Sequence, residues 1–259
     1  MNRYEKSTKM GVLKSFLEIP LGSADGIFDR FMEIHGAIYR GVGLERFLFV
    51  RGFRQNKVLL VAHGDTIWDH EYGSDPGQTH DIQINNGKIS ATDPECGLGA
   101  DDRAKCVMLW LLKNMGHSLL ITNGEEKGQL GAAWLMNHNN DIADEINRDH
   151  QFVVQLDRRN GADFKCYNVG TDGFRFYVAD KTGYAQPDRR SSTDIKTLCR
   201  EIPGVNLSIG YHREHDKGEY LDVAQWEHTL ERVAMWLSEE NLPKFALPAR
   251  GYDLNELSR

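Results

Sequence analysis

The run Thr122-Asn123-Gly124-Glu125-Glu126-Lys127-Gly128-Gln129-Leu130-Gly131-Ala132 sets two adjacent carboxylates just after the largely apolar segment His117-Ser118-Leu119-Leu120-Ile121. A short apolar run of this kind reads as a buried strand. The carboxylate pair then stands at the strand's C-terminal end, the edge where open α/β sheets bind ligands. Neighbouring Glu residues there suit a metal ligand beside a general base. Gly128 and Gly131 let a helix start close by.

Four further polar clusters follow the same logic. Leu59-Leu60-Val61-Ala62 runs into His63-Gly64-Asp65-Thr66, where His63 can bind a metal while Asp65 holds the other imidazole nitrogen and fixes the tautomer. Gly97-Leu98-Gly99-Ala100-Asp101-Asp102 puts two carboxylates at a helix start. Phe152-Val153-Val154-Gln155-Leu156 ends in Asp157-Arg158-Arg159. Ser208-Ile209-Gly210-Tyr211 leads into His212, Glu214, His215 and Glu219. Taken singly, each is ordinary: a polar turn, an N-cap, a solvated charge cluster, surface histidines. Together they place polar clusters beyond strand after strand, and they supply the mixed nitrogen and oxygen donors that zinc accepts.

The order H-G-D-T, G-A-D-D, N-G-E-E-x-G, a lone Asp after a strand and a late His resembles the co-catalytic di-zinc exopeptidases, among them the bacterial zinc aminopeptidases, the glutamyl aminopeptidases and the glutamate carboxypeptidase-like enzymes. The similarity spans roughly residues 57–237. It implies that His63 binds one zinc with Asp65 supporting it, that Asp101 bridges two zincs, and that Glu125 is the general base. It further implies that Glu126 binds the second zinc, that Asp157 completes the first site and that a late His completes the second. Tyr211, His215 and Glu219 fit the pattern around that histidine, which favours His215, with His212 as the alternate. Relatives with the D-D pair often join it by a cis peptide, so the Asp101–Asp102 bond is expected to be cis.

The activity implied is hydrolysis of a terminal peptide or amide bond in short peptides or acylated amino acids by a metallo-exopeptidase of aminopeptidase or carboxypeptidase/deacylase type. The cofactor implied is two zinc ions per chain, with cobalt or manganese as substitutes. Two other readings stand beside it: a same-fold single-zinc acyl transferase of cyclase type, and a non-catalytic metal-binding relative. Residues 66–100 and 158–214, the two gaps where relatives insert a lid domain, are too short for one here. The pocket should then be walled by the loops at 68–97 and 168–190. A substrate amine could be met by Asp69, Glu71, Asp93, Glu95 or Asp172, and a substrate carboxylate by Arg158 or Arg159.

The elements that must position these residues alternate. Helices are predicted at 10–17, 25–38, 102–115, 127–138, 192–200 (capped by Ser191 or Ser192) and 219–240. Strands are predicted at 46–50, 57–62, 82–84, 88–91, 117–122, 151–156, 164–168, 174–178 and 206–210, with an Asn85-Asn86-Gly87 hairpin. This is an α/β pattern: three layers, a mostly parallel central sheet and helices on both faces. One catalytic domain over residues 1–259 is expected, with an irregular tail at 241–259.

Composition narrows the classes. Hydrophobic residues make up 40% and charged residues 27%, as in ordinary globular proteins. The formal charge of −7 and the lack of a basic stripe argue against nucleic acid, and bound cations would offset part of it. No apolar run approaches the roughly 20 residues of a membrane span, so no membrane partner is expected. The N-terminus lacks the apolar core of a secretion signal, and the four cysteines show no CxxC spacing. Reduced thiols in a cytoplasmic protein are expected. Oligomeric state is not legible.

Overall fold

The computed structural model describes residues 3–71, 80–186 and 193–248. Helices α1 (Arg3–Leu17) and α2 (Asp25–Met32) lead into the antiparallel strands β1 (Ile38–Val42) and β2 (Glu45–Val50). Strand β3 (Leu59–His63) is followed by the short α3 (Ile67–Glu71), the hairpin β4 (Ile82–Asn85) and β5 (Lys88–Ala91), and helix α4 (Ala100–Leu112). Then come β6 (Ser118–Thr122), α5 (Leu130–His138), α6 (Asn140–Asp149), β7 (Val153–Arg158), β8 (Phe164–Lys165) and α7 (Asp172–Thr182). The chain continues through α8 (Ile195–Leu198), β9 (Gly204–Ser208), β10 (Tyr211–His212), β11 (Tyr220–Asp222) and α9 (Val223–Leu237).

A seven-stranded sheet runs β1-β2-β6-β3-β7-β9-β8. Its four central strands, β6, β3, β7 and β9, are parallel, and antiparallel strands flank them. Alternation of side chains explains its two apolar faces. Leu60, Ala62, Leu119, Ile121, Val154 and Leu156 pack on one face with residues of α1, α2, α4 and α9. Leu59, Val61, Leu120 and Val153 pack on the other with residues of α5, α6 and α8. Strands buried on both sides read as unbroken apolar runs, which is why β3, β6 and β7 were legible. A second sheet, β10-β11-β5-β4, holds the predicted hairpin.

Several elements differ from the sequence reading. The predicted helix at 25–38 stops at Met32; Gly36 lies at φ 79° and Ile38 opens β1, paired to β2. The predicted strand at 174–178 is part of α7. Phe174 and Val178, one helical turn apart, are both buried, whereas Phe176 is exposed; strand alternation would put all three on one face. Thr171 caps α7 by accepting from the Phe174 amide at 3.2 Å. Helix α6 carries no clear helical signal in the sequence because its inward face is only Ile142, Ala143, Ile146 and Asn147. The long helix begins at Val223, capped by Asp222, since residues 220–222 form β11. The expected caps Ser191 and Ser192, and residues 249–259 of the tail, lie outside the described residues; residues 241–248 are irregular. No described helix is long and apolar enough to cross a membrane, and all four cysteines are free.

At the edge opposite the candidate ligands, two buried histidines tie elements together. His117 accepts from the Val58 amide at 3.2 Å and reaches the Leu237 carbonyl at 2.9 Å. His150 reaches the Ile146 carbonyl at 3.0 Å and Ser118 Oγ at 2.7 Å. Burial pushes both rings down to about 4. Each therefore stays neutral in the folded chain while the unfolded chain takes up a proton below pH 6.5, so this share of stability is present above pH 6.5 and lost as pH falls toward 4. Ring NMR titration should find both neutral at pH 5, where each proton left unbound costs the folded state about 2 kcal/mol. A ring titrating near 6.5 would refute the assignment.

Candidate active site

The parallel strands deliver the clusters to one edge. His63 ends β3, and its register partner is Thr122 at the end of β6. Glu125 and Glu126 follow β6, Asp157 lies at the end of β7, and His215 follows β10. Gly64 has a steric reason: a Cβ there would meet the Phe28 ring at 2.9 Å. At Gly131 a Cβ would come within 2.6 Å of the Asn123 and Arg46 carbonyl oxygens, so α5 can start against the strand ends only with glycine there. The Asp101–Asp102 peptide is cis, as the resemblance implies.

A residue absent from the sequence reading occupies the middle of the cluster. Lys105 Nζ lies 2.6 Å from Asp101 Oδ1, 2.9 Å from Asp102 Oδ1 and 3.1 Å from His63 Nε2, and it donates a short hydrogen bond to Asp157 Oδ1. Its side chain is fully buried. Burial alone would lower its pKa, but Asp101, Asp102 and Asp157 outweigh that and hold the ammonium well above its ordinary range. Burial likewise lowers His63, and Asp102 with its neighbours draws it up. Only one proton can lie between the two nitrogens, and the more basic ammonium keeps it. His63 Nε2 is then an acceptor, and Nδ1–H donates to the Asp65 carbonyl at 2.8 Å. One signal pointed to Lys105: it stands one helical turn after Asp101, where oppositely charged side chains meet.

A second group of donors lies nearer the surface. His215 Nε2 is 3.0 Å from Glu126 Oε1 and 3.6 Å from Asp101 Oδ2. The His215 side chain is 46% exposed, whereas those of Glu126 and Asp101 are nearly buried. Hydrogen bonds to Asp101 and Glu126 push His215 up to about 11, so a metal ion here would displace a proton. His212, the alternate, turns away to Gln225 Oε1 at 3.0 Å and stacks on Tyr220. Glu125 Oε2 is 4.0 Å from His63 Nε2. Burial first, then Asp157, Asp194 and Glu126, push the Glu125 carboxyl well above its ordinary range.

These two positions answer differently to a metal. Asp101 Oδ2, Glu126 Oε1 and His215 Nε2 are a mixed oxygen and nitrogen set that suits a zinc-like ion. Donor atoms of His63, Asp101 and Glu126 also lie within 4.8 Å of one another. The inner set of His63, Asp101 Oδ1 and Asp157 has the right chemistry, but the Lys105 ammonium already contacts every member. An ion does not fit there beside it.

Supporting residues complete the frame. The Asp65 carboxylate accepts from the Glu125 and Glu126 amides at 3.2 and 3.3 Å. It thereby orients the β6 turn, while its nearest contact with His63 is through its backbone carbonyl. Glu219 accepts from the Gly99 and Asp101 amides at 2.8 and 3.0 Å and from Trp68 Nε1 at 3.3 Å, and burial pushes it up to about 7. Asn206 accepts from the Asp157 amide at 2.7 Å, and Thr193 Oγ1 donates to Asp157 Oδ2 at 2.6 Å. Asp194, buried and pushed up to about 7, accepts from Thr122 Oγ1. Asn206, Thr193 and Asp194 carry no motif; only the fold brings them here.

Five of the expected recognition groups, Arg158, Arg159, Asp69, Glu95 and Asp93, are engaged elsewhere. Arg158 pairs with Asp163 at 2.7 Å and Arg159 with Glu214 at 2.5 Å. Asp69 accepts from the Gly22 and Thr66 amides, and Glu95 pairs with Lys217. Asp93 accepts from the Glu95 amide, Asp172 sits in the first turn of α7, and the Glu71 side chain lies outside the described set. Of the loop expected at 168–190, residues 172–182 form α7 and residues 187–190 lie outside the described residues. Its Phe174 packs 5.4 Å from Phe152, at the end of β7 opposite Asp157, so α7 carries its buried face away from the site. Within 68–97, Trp68 closes against Gly97 beside Glu219.

Solved structures share this fold. A tripeptidase from Staphylococcus aureus aligns over 89% of this chain and 97% of its own, with a TM-score of 0.61 and 12% identity. The TET1 peptidase of Pyrococcus horikoshii, which can assemble into a tetrahedron or a large octahedral shell, aligns over 90% and 100% with a TM-score of 0.62 and 16% identity. Aminopeptidase PepT from Bacillus cereus aligns over 89% and 97% with a TM-score of 0.59 and 13% identity. No family model and no curated protein matches the sequence. Identities this low establish the architecture, a zinc-exopeptidase-like α/β fold, while function must be argued from the site.

Replacing Glu219 by Ala strips two buried amides and an indole of their acceptor. Thermal or urea unfolding should show a loss of about 2–4 kcal/mol. A loss under 0.5 kcal/mol would mean that Glu219 does not hold the Gly99–Asp101 segment.

Proposed function

We propose that this chain is a metal-dependent hydrolase that cleaves a terminal peptide or amide bond of short peptides or acylated amino acids. One observation carries the reading: a largely buried carboxyl, Glu125, stands next to a group of metal-type donors, Asp101, Glu126 and His215, at the C-terminal edge of the parallel strands. Asp101 Oδ2, Glu126 and His215 would hold the ion. Bound there, a divalent ion supplies a Lewis acid for the scissile carbonyl and lowers the pKa of water.

The chain's own groups supply the rest. Glu125 takes the proton of the attacking water on a carboxylate oxygen and returns it to the leaving amine. Burial and the neighbouring carboxylates raise its proton affinity toward the range that such a shuttle needs. Asp65 fixes the backbone of Glu125 and Glu126, so the base and the ligand keep their relative placement. His63 and Asp157 act through Lys105, and Glu219 holds Asp101. The peptidases that share the fold support peptide substrates, and the absence of room for a lid domain in either gap supports terminal bonds.

Glu125→Gln should retain the ion and lose at least about 100-fold in turnover, because it removes proton transfer and no ligand; Glu126→Gln should weaken ion binding instead. Mass spectrometry of a peptide library with zinc or cobalt added reads out both substrate class and rate. Efficient internal cleavage of a protein with blocked termini would overturn the exopeptidase reading. The Lys105 arrangement also favours a second reading, single-metal acyl transfer. Reaction in ¹⁸O-water separates the two, since only hydrolysis puts the label into the product carboxylate.

A further inference from the structure

The inner cluster has the donors of a metal position and a different cation in it. Each donor is spent. Asp157 gives Oδ1 to Lys105, and its Oδ2 accepts from Thr193 at 2.6 Å and Gln155 at 3.2 Å. His63 gives Nδ1 to the Asp65 carbonyl and turns Nε2 to Lys105 at 3.1 Å. Asp101 divides its carboxylate, with Oδ1 on Lys105 at 2.6 Å and Oδ2 toward His215 at 3.6 Å. Asp102 adds a further oxygen at 2.9 Å from the ammonium.

We propose that Lys105 is a built-in replacement for one of two metal ions, so that this chain takes a single divalent ion, held by Asp101, Glu126 and His215. The inference rests on the metal-dependent hydrolase reading and sets its metal count. Three features support it. The ammonium and its stem have no exposed surface, so an incoming ion could not displace it into solvent without opening the packing. An ion sharing those donors would sit within contact distance of a second cation, a repulsion that a low-dielectric interior magnifies. Lys105 also leaves one Asp101 oxygen facing outward, so the bridging carboxylate joins an ammonium to a metal position. Lys105 is thus a positioning residue: it holds His63, Asp101 and Asp157 in place but is too deeply buried to meet substrate.

Stripped protein would be loaded with excess Zn(II), desalted and analysed for zinc per chain, with calorimetric titration in parallel. The wild type should hold one zinc and Lys105→Ala should hold two. In EDTA the variant should melt below the wild type, because the Asp101 and Asp157 carboxylates lose their counter-charge, and zinc should raise its Tm more than that of the wild type. The position is tested without touching Lys105: His63→Gln should still hold one zinc, and His215→Gln should lose it. Two zincs in the wild type would overturn the inference and leave the hydrolase reading standing. A single zinc lost in His63→Gln but kept in His215→Gln would overturn it too, by placing the ion inside. No zinc in either the wild type or Lys105→Ala would overturn both.

Discussion

A buried ammonium held by the Asp101 and Asp157 carboxylates, with the Asp102 carboxyl beside it, is the interaction on which the rest of this structure depends. Asp101, Asp102 and Asp157 converge from α4 and β7 on a point that water does not reach. Uncompensated, such a cluster would be too costly to keep ionised in the interior. Lys105 supplies the charge, and because it lies on α4 it also fixes that helix against the ends of β3 and β7. Removing one partner of a buried ionic group leaves the others exposed to the full desolvation cost. The cluster is therefore a structural joint.

The joint divides the site into an inner part that is closed and an outer part that is open. His63 and Asp157 belong to the closed part, with all their polar atoms committed to protein partners. Glu126 and His215 face the other way, and His215 is half exposed. Glu125 sits between them on the turn that Asp65 holds. Among the described residues of this cluster, the outer side is the part open to solvent, while the inner side sets the electrostatics.

The sheet does the assembling. Strands β6, β3 and β7 are neighbours although they are far apart in sequence, and their shared direction brings Glu125, His63 and Asp157 to one edge. The second sheet brings its own strand β11 and, just before it, Glu219, which accepts the amides that set Asp101. Solved peptidases share this architecture, so it tolerates large divergence in sequence.

The sequence by itself determined the parallel core and the chemical character of its edge. Strands β3, β6 and β7 are buried on both faces, and such strands must be continuous apolar runs, which makes their ends visible as the first polar residues. That is why His63, Asp65, Glu125, Glu126 and Asp157 stand out as the polar residues after strand ends, while their roles are what the family resemblance implies. Helix α7 was not legible, since Phe174 and Val178 satisfy both a two-residue and a four-residue spacing. Nor was α6, whose apolar face is too narrow. Only the tertiary structure decided that His215 and not His212 turns inward, because that choice depends on where β10 pairs with β11. Only it revealed Asn206, Thr193 and Asp194, which act through backbone and hydroxyl contacts without any spacing rule. It also decided the state of the inner position: a lysine one turn after an aspartate reads on a sequence as a surface ion pair, and only burial among distant carboxylates makes it the resident cation.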